Sequence, residues 1–443
     1  MNTVGDAAEF LSGGTPKKST EAFWNGDIPW FSASNMYDKF LATSDLNITD
    51  QGLKAGSRMA PSGATLLLVR GSGLFNHIPI CFADRDVAFN QDVKAIVAKD
   101  GIDPLYLHYT LEAHRRELAN NLGVTGIGAG KFDTDFLKQL SFVHRDKDEQ
   151  KEIGRLASAY DRKIELNRRM NETLEEMARA LFRDWFVDFG PTRRQADGAT
   201  DPAAIMGYAF PPEKAATLAP LFPAKLGDDG LPESWAMETL GDFAERSGGS
   251  IQTGPFGSQL HKSDYVESGV PVLMPANLTY SQIKLDGIAY ITEEKAKSLA
   301  KHRCKPGDII YGRRGDIGRK ALIAEAQIGW FCGTGCLKVS IHSKERSPNV
   351  LFMQLDTERA VQWIRSRAIG ATMPNLNTKT LGGLPILKIG SELSAPFTEI
   401  AGPFEEKRQQ NDAENQALTE MRDLLLPKLM SGEIHLKDTE AVS

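Results

Sequence analysis

Three stretches of this chain carry residue types that could do chemistry, and each fails on spacing. Gly126-Ile127-Gly128-Ala129-Gly130-Lys131-Phe132 has the glycines and the lysine of a phosphate-cradling loop. Such a loop needs a glycine where Thr125 stands and a hydroxyl after the lysine, where Phe132 stands. Its internal counterpart, Gly370-Ala371-Thr372-Met373-Pro374-Asn375-Leu376, has no lysine at all. The segment therefore reads as a glycine turn, either approaching a polyanion or only turning the chain. Asp92-Val93-Lys94, with Asp84 and Asp86 upstream, has the carboxylates and lysine of a metal-dependent nuclease. Its internal counterpart puts Cys336 in place of Asp92, so these acids read as strand-end residues. His302-x-Cys304 and Cys332-x3-Cys336 lack the paired spacing of a zinc site, and Cys81 stands alone. They read as small buried thiols. No Asp-Pro-Pro-Tyr or Asn-Pro-Pro-Phe tetrad of an amino-methyltransferase is present, and Phe210-Pro211-Pro212 reads as a turn. The chain is expected not to be an enzyme, and to bind no metal or cofactor itself.

Composition narrows the class further. Of 443 residues, 41% are hydrophobic and 25% charged, which excludes a disordered or collagenous chain and suggests two to four domains. Four cysteines in that length suit a reducing compartment. Residues 1–11 lack the basic and apolar regions of a signal peptide, and runs such as 65–69 are too short to cross a bilayer. The expectation is a cytoplasmic protein with no membrane association. The formal net charge of −6 conceals a basic block: residues 234–391 hold 20 Lys and Arg against 14 Asp and Glu, a net +6. Lys301, Arg303, Lys305, Arg313, Arg314, Arg319 and Lys320 crowd into 301–320. A block of that kind suits a polyanion.

The elements that must position these residues come in duplicate. A shift of 244 residues superposes Gly63, Arg70, Gly71 and Lys94 on Gly307, Arg314, Gly315 and Lys338. It also matches Gly126, Thr134, Leu137 and Leu140 with Gly370, Thr378, Leu381 and Leu384. Further on it matches Lys163, Asn167, Asn171, Leu174 and Met177 with Lys407, Asn411, Asn415, Leu418 and Met421. Towards the start the shift drifts to 242, with Pro29 and Asn35 against Pro271 and Asn277. A near-constant shift across both halves marks a duplication. Each copy runs from a glycine-punctuated, strand-rich part into a long helical stretch. The layout is 1–145, a helix over 146–189, a connector over 190–233 lying on the surface, 234–391, and a helix over 392–435.

Both helical stretches carry a heptad. Ile153, Tyr160, Asn167, Leu174 and Leu181 fall at a in the first, with Leu156, Lys163, Met170 and Met177 at d. Phe397, Phe404, Asn411, Leu418 and Leu425 fall at a in the second, with Ile400, Lys407, Glu414 and Met421 at d. A polar residue at a fixes register. If the helices pair antiparallel with Asn167 opposite Asn411, Lys163 falls near Glu414. Gly402-Pro403 should kink the second helix or begin it. The expected fold is α+β: two duplicated mixed α/β domains joined by two long antiparallel coiled-coil helices, with pseudo-twofold symmetry. Dimeric readers of DNA hold two recognition elements at a fixed distance in the same way.

The motifs then carry a resemblance. Ser12-Gly13-Gly14-Thr15-Pro16 followed by Phe23-Trp24-Asn25-Gly26-Asp27-Ile28-Pro29-Trp30 resembles the opening of a target-recognition domain of a type I restriction-modification specificity subunit. Thr253-Gly254-Pro255-Phe256-Gly257-Ser258 with Gly269-Val270-Pro271-Val272 resembles another opening of that family. Leu181-Phe182-Arg183-Asp184-Trp185-Phe186 resembles the end of its central helix, and Leu424-Leu425-Leu426-Pro427-Lys428-Leu429-Met430-Ser431-Gly432-Glu433-Ile434 the end of its distal one. The resemblance implies a non-catalytic subunit that recognises a bipartite double-stranded DNA target. It implies assembly with two methyltransferase subunits and with restriction/translocase subunits, which would carry the methyl donor, ATP and Mg. Against the family pattern, copy 1 lacks most of the leader that 232–238 supply in copy 2, so either its first strand is short or the start of the sequence is misassigned.

Candidate contacts fall in two tiers. Lys17, Lys18, Lys262, Arg313, Arg319 and Lys320 are expected on phosphates, which give affinity and salt dependence. Arg70 and Arg314, each beside a glycine after an apolar strand, are expected on guanine edges, with Asn35, Asn277 and Gln91 as further base readers. Ile153, Asn167, Leu174, Met177, Phe182, Trp185, Phe404, Asn411, Leu418, Met421 and Leu425 are expected to build the spacer and the docking surface for partners. A stand-alone duplicated DNA-binding regulator and a degenerate specificity subunit are the other readings of the same features.

Overall fold

A computed structural model describes residues 2–434, apart from 127, 280–282, 286, 315, 343–346 and 368–374. The chain divides into two units, Met1–Asn171 with Gln409–Ser443, and Glu172–Arg408. In the first unit the apolar run after Gly63 becomes the strand Thr65–Leu68, buried at every position. It sits at the centre of a five-stranded sheet in the order Ala8–Ser12, Val93–Ala98, Thr65–Leu68, Ile80–Ala83, Phe40–Leu41. The last pairing is parallel and the others antiparallel. A strand buried on both faces needs a cover, and helix α1 (Pro104–Ala113) packs against it. Asp103 caps α1 by accepting from the Tyr106 backbone N–H at 3.0 Å, and Pro104 occupies the first turn, where its missing N–H costs nothing. A second sheet runs Asn47–Ile48, Trp24–Phe31, Val87–Phe89, Arg58–Ala60. The chain then enters the 40-residue helix α2 (Lys147–Phe186).

The second unit repeats the plan. Its first sheet runs Ser250–Thr253, Cys336–Ser340, Ile309–Gly312, Lys320–Leu322, all antiparallel. In its second sheet Val270–Leu273 lies parallel to Phe331–Cys332, as Trp24–Phe31 lies parallel to Val87–Phe89. Helix α3 (Pro348–Asp356) stands where α1 stands. Gly63 (φ 89°) and Gly307 (φ 82°) make left-handed turns against Pro104 and Pro348 respectively, so the 244-residue shift holds in space as well as in sequence. Met237–Thr239 pairs with Pro385–Leu387, and the matching place in copy 1 holds the isolated bridge of Thr3 to Ser141.

Helix α4 (Ser391–Ser431) is continuous through Gly402 and Pro403, so the helix does not begin there. Its first turns are pinned by buried Leu393, Phe397 and Ala401, which outweigh one lost backbone hydrogen bond. Within the first unit α2 and α4 run antiparallel around a polar layer. Asn167 Nδ2 donates to Glu414 at 2.8 Å and to Asn415 at 3.0 Å. Asn411 Nδ2 donates to Asn171 Oδ1, and Asn171 Nδ2 to Asp412, both at 2.8 Å. Lys163 meets Glu414 at 3.2 Å, as the heptad required. The expected Asn167–Asn411 pair is replaced by an offset, because Asn171 lies one turn further along the same face of α2. The two buried asparagines therefore take separate partners.

The connector is not a surface strap. It forms helices Gly190–Ala196, Pro202–Ile205 and Pro212–Leu218. Thr192, Met206, Ala215 and Phe222 are buried, the apolar three in one core with Trp185, Phe186 and Phe397. Helices this short show no readable period, so proline and glycine dominate the sequence pattern there.

His108 gives the first unit a pH dependence. Its ring is buried against Phe82 and Tyr109, with Nδ1 3.3 Å from Thr65 Oγ1. Burial pushes its pKa down to about 4. The unfolded chain takes the proton first, so this stabilisation is complete above pH about 6.5 and is lost as pH falls towards 4. The expected loss is about 3 kcal/mol over that interval. Hydrogen exchange of the 65–68 amides against pH should show that slope, and His108→Phe should remove it. An unchanged slope in the variant would assign it elsewhere.

Candidate nucleic-acid interface

The glycine segment of copy 1 is a hairpin. Gly123–Val124 pairs with Gly130–Lys131, closed by Thr125 N–H to Ala129 O at 2.8 Å and Ala129 N–H to Thr125 Oγ1 at 3.0 Å. Gly130–Lys131 in turn pairs with Arg70–Gly71, with Lys131 directly opposite Arg70. The register thus places two cations on neighbouring strands. Arg70 is 53% exposed, and its ion pair with Asp92, at 3.8 Å, is long enough to leave the guanidinium available. Exposed Phe75 and Val124 lie on the segments that flank this ladder. In the sequence Lys131 stands out only as the lysine of a failed phosphate loop. The signal that could have found its role is the short strand that begins at Gly130.

In copy 2 the equivalent ladder is anchored by a bridge between Arg314 and Asn375. Residues 370–374 of the matching loop lie outside the described residues. Arg314 is exposed. Arg313, by contrast, donates Nε to Asn375 Oδ1 and to Leu376 O, both at 3.1 Å, and so fastens that loop. Arg319 is held by Asp316 at 2.9 Å and is about 40% exposed. Lys17, Lys18, Lys262 and Gln91 are exposed, with Gln91 Oε1 accepting from Thr15.

Three expected contacts need correction. Lys320 is fully buried: its Nζ sits 2.5 Å from Asp356 and 5.3 Å from the Phe352 ring centroid, and burial lowers its pKa. It cannot meet a phosphate. Asn277 is 2% exposed, accepting from Met274 N–H and donating to Lys284 O. Asn35 does the same work in copy 1, accepting from Ser32 N–H and donating to Trp30 O and Ser44. Both asparagines close a turn after a strand, so neither has a free amide edge for a base.

The helix residues also separate. Ile153, Asn167, Phe182, Trp185 and Asn411 are buried within their own units and are unavailable for docking a partner. Leu174, Phe404, Leu418 and Leu425 are half-buried. Met177 and Met421, matched by the repeat and placed at d, are instead 49% and 54% exposed. Among the described residues no group of three His, Cys, Asp or Glu comes together as a metal site. The four cysteines are buried and free, with burial pushing the Cys81 thiol up to about 12. Asp92 accepts from Asn90 and Gln91 and forms the long pair with Arg70, which leaves no carboxylate cluster among the described residues. No helix among the described residues is long and apolar enough to cross a membrane.

Residues 1–176 match the family model for the type I restriction modification DNA specificity domain. Over 99% of this chain, and 94% of the relative, the sequence is 23% identical to the type I restriction enzyme MjaIX specificity subunit of Methanocaldococcus jannaschii. It is 29% identical to the HindI specificity subunit of Haemophilus influenzae over 68% of this chain and 70% of that one. Over nearly its whole length the chain is similar to type I restriction enzyme specificity subunits. Its fold agrees with that of the S subunit of the type I restriction-modification system from M. genitalium, at a TM-score of 0.59 and 17% identity, covering 97% of this chain and 95% of the other. Arg70 and Arg314 thus occupy matching places in the two copies, and each copy runs on into a long helix, α2 or α4.

Proposed function

We propose that the chain recognises a bipartite double-stranded DNA target and directs methyltransferase and restriction subunits to it. The observation that carries this reading is the duplication of one exposed arginine, Arg70 and Arg314, at the end of the same central strand in each copy. Each copy would read one half-site, and because their sequences differ the half-sites would differ. Lys17, Lys18, Lys131 and Lys262 would meet phosphates, giving affinity and a salt dependence. The subunit does no chemistry. Methyl donor, ATP and Mg would be held by the partners, and the methyltransferase would flip an adenine out of the stack. The complex would work in the cytoplasm, where its DNA is.

Two methyltransferase subunits would dock on equivalent surfaces of the long helices, centred on Met177 and Met421. Met421 is joined by Leu424, one turn on and 63% exposed. An apolar spot among charged neighbours is a fit for a partner's anchor residue. Met177→Glu and Met421→Glu should each cost one methyltransferase subunit in native mass spectrometry of the co-expressed complex, and the double variant both. Unchanged stoichiometry in all three would move the docking surface elsewhere.

A further inference from the structure

The repeat is not equally filled at every point, and the difference lies where the recognition domain meets the helices. In the first unit this seam is packed with polar side chains. Tyr109 donates its hydroxyl to Asp161 at 2.7 Å, and Arg422 donates to the other oxygen of Asp161 at 2.6 Å. Lys39 completes the cluster at 2.6 Å from Asp161 and 3.4 Å from Glu112. Burial would raise the Asp161 pKa, but Lys39 and Arg422 outweigh it and hold the carboxyl below its usual range.

The same shift of 244 carries Asp161 to Glu405, Glu112 to Asp356, Tyr109 to Met353 and Arg422 to Ala178. The acids persist while the phenol and the guanidinium that filled the space are replaced by smaller or apolar groups. In their place the second unit has a cavity of about 440 Å³, with Ala178, Met353, Phe182, Phe397 and Glu405 in its lining. That size is within the range of small-molecule sites, roughly 300–1,000 Å³.

The cavity's polar groups are specific. Arg408, where copy 1 has Ile164, takes over the charge of Glu405, donating at 2.9 Å. Its Nε is buried and has no acceptor among the described residues. A buried N–H without a partner costs free energy that a bound acceptor would recover. Most other charges in the lining are paired, Arg179 with Glu175 and Asp356 and Arg183 with Asp188, while Glu358 accepts from Gln362. The site therefore favours a neutral ring over an ion, and a ring whose polar group can both accept from Arg408 and donate to Glu405.

We propose that this cavity in the second unit binds a small hydroxylated aromatic molecule, its ring against Met353, Phe182 and Phe397 and its hydroxyl between Glu405 and Arg408. The molecule supplies the phenol that Tyr109 supplies in the first unit. The site is independent of the DNA-reading surface and stands whether or not the half-site reading holds. One ring leaves room in 440 Å³, so a bicyclic ligand is accommodated.

The test uses p-cresol, the tyrosine side chain as a free molecule, with toluene as comparator. Binding to the full-length chain is followed by saturation-transfer NMR and by the thermal midpoint. Saturable binding on the order of millimolar is expected for so small a probe, with toluene roughly fivefold weaker for want of the hydroxyl. Met353→Tyr should fill the site from within and abolish p-cresol binding. Should that variant fail to fold, Ala178→Leu narrows the same space and Glu405→Gln weakens the hydroxyl's contact without changing the packing. Two results overturn the proposal: p-cresol binding that never saturates, or binding as tight in the folded variants as in the parent.

Discussion

An Arg314→Ala substitution should relax recognition of one half-site by roughly 5- to 150-fold and leave the other half-site as it was, the range expected for removing one bidentate arginine–guanine pair. Arg70→Ala should do the converse. The argument rests on three features of each arginine. It follows an apolar strand buried in a recognition domain, so its backbone is fixed; it is exposed; and its salt bridges are long or absent among the described residues. Competition binding by the assembled complex, with duplexes altered one base pair at a time, measures the effect. Removing Lys17 or Lys18 should behave differently. Every duplex would then be bound more weakly, and the slope of log affinity against log salt should fall by about 0.9 for each phosphate no longer neutralised. If Arg314→Ala weakens all duplexes equally, Arg314 is a phosphate ligand and the base-reading role lies elsewhere.

Trp185→Ala should destabilise the second unit by about 3–5 kcal/mol, the usual range for emptying a buried aromatic site. Trp185 is fully buried, with ring centroids 5.0 Å from Phe222 and 5.9 Å from both Phe186 and Phe397. Those rings come from α2, the connector and α4, so one deletion loosens three parts of the chain. For a unit of this size the thermal midpoint should drop by roughly 6–20 °C. Trp185→Phe should cost far less. It keeps most of the apolar volume and removes an indole N–H that has no acceptor among the described residues. Differential scanning calorimetry separates the outcomes. Equal losses for Ala and Phe would contradict the claim that ring packing holds the site.

The duplication was legible because it is written in spacing. Glycines at left-handed turns, the proline that opens α1 and α3, and asparagines inside the helix pair all survive a 244-residue shift. What the sequence hid was burial. Lys320 belongs to a basic block, and only the fold shows Asp356 and two aromatic rings closing over it. Asn35 and Asn277 matched as a pair, and the match reflected a shared turn instead of a shared base contact. The heptad located Asn167 and Lys163 correctly but missed Asn171, because helix faces drift against a strict seven-residue repeat over many turns. That drift also turned Met177 and Met421 outward. The connector's packing was invisible for a simpler reason, since its helices are too short to show a period.

The most direct test of the account is the methylome of cells that express this chain with its methyltransferase subunit. The account predicts one adenine-methylated motif in two parts, separated by a spacer of fixed length and unspecified sequence. A stable complex that methylates no motif, or a single uninterrupted one, would contradict it.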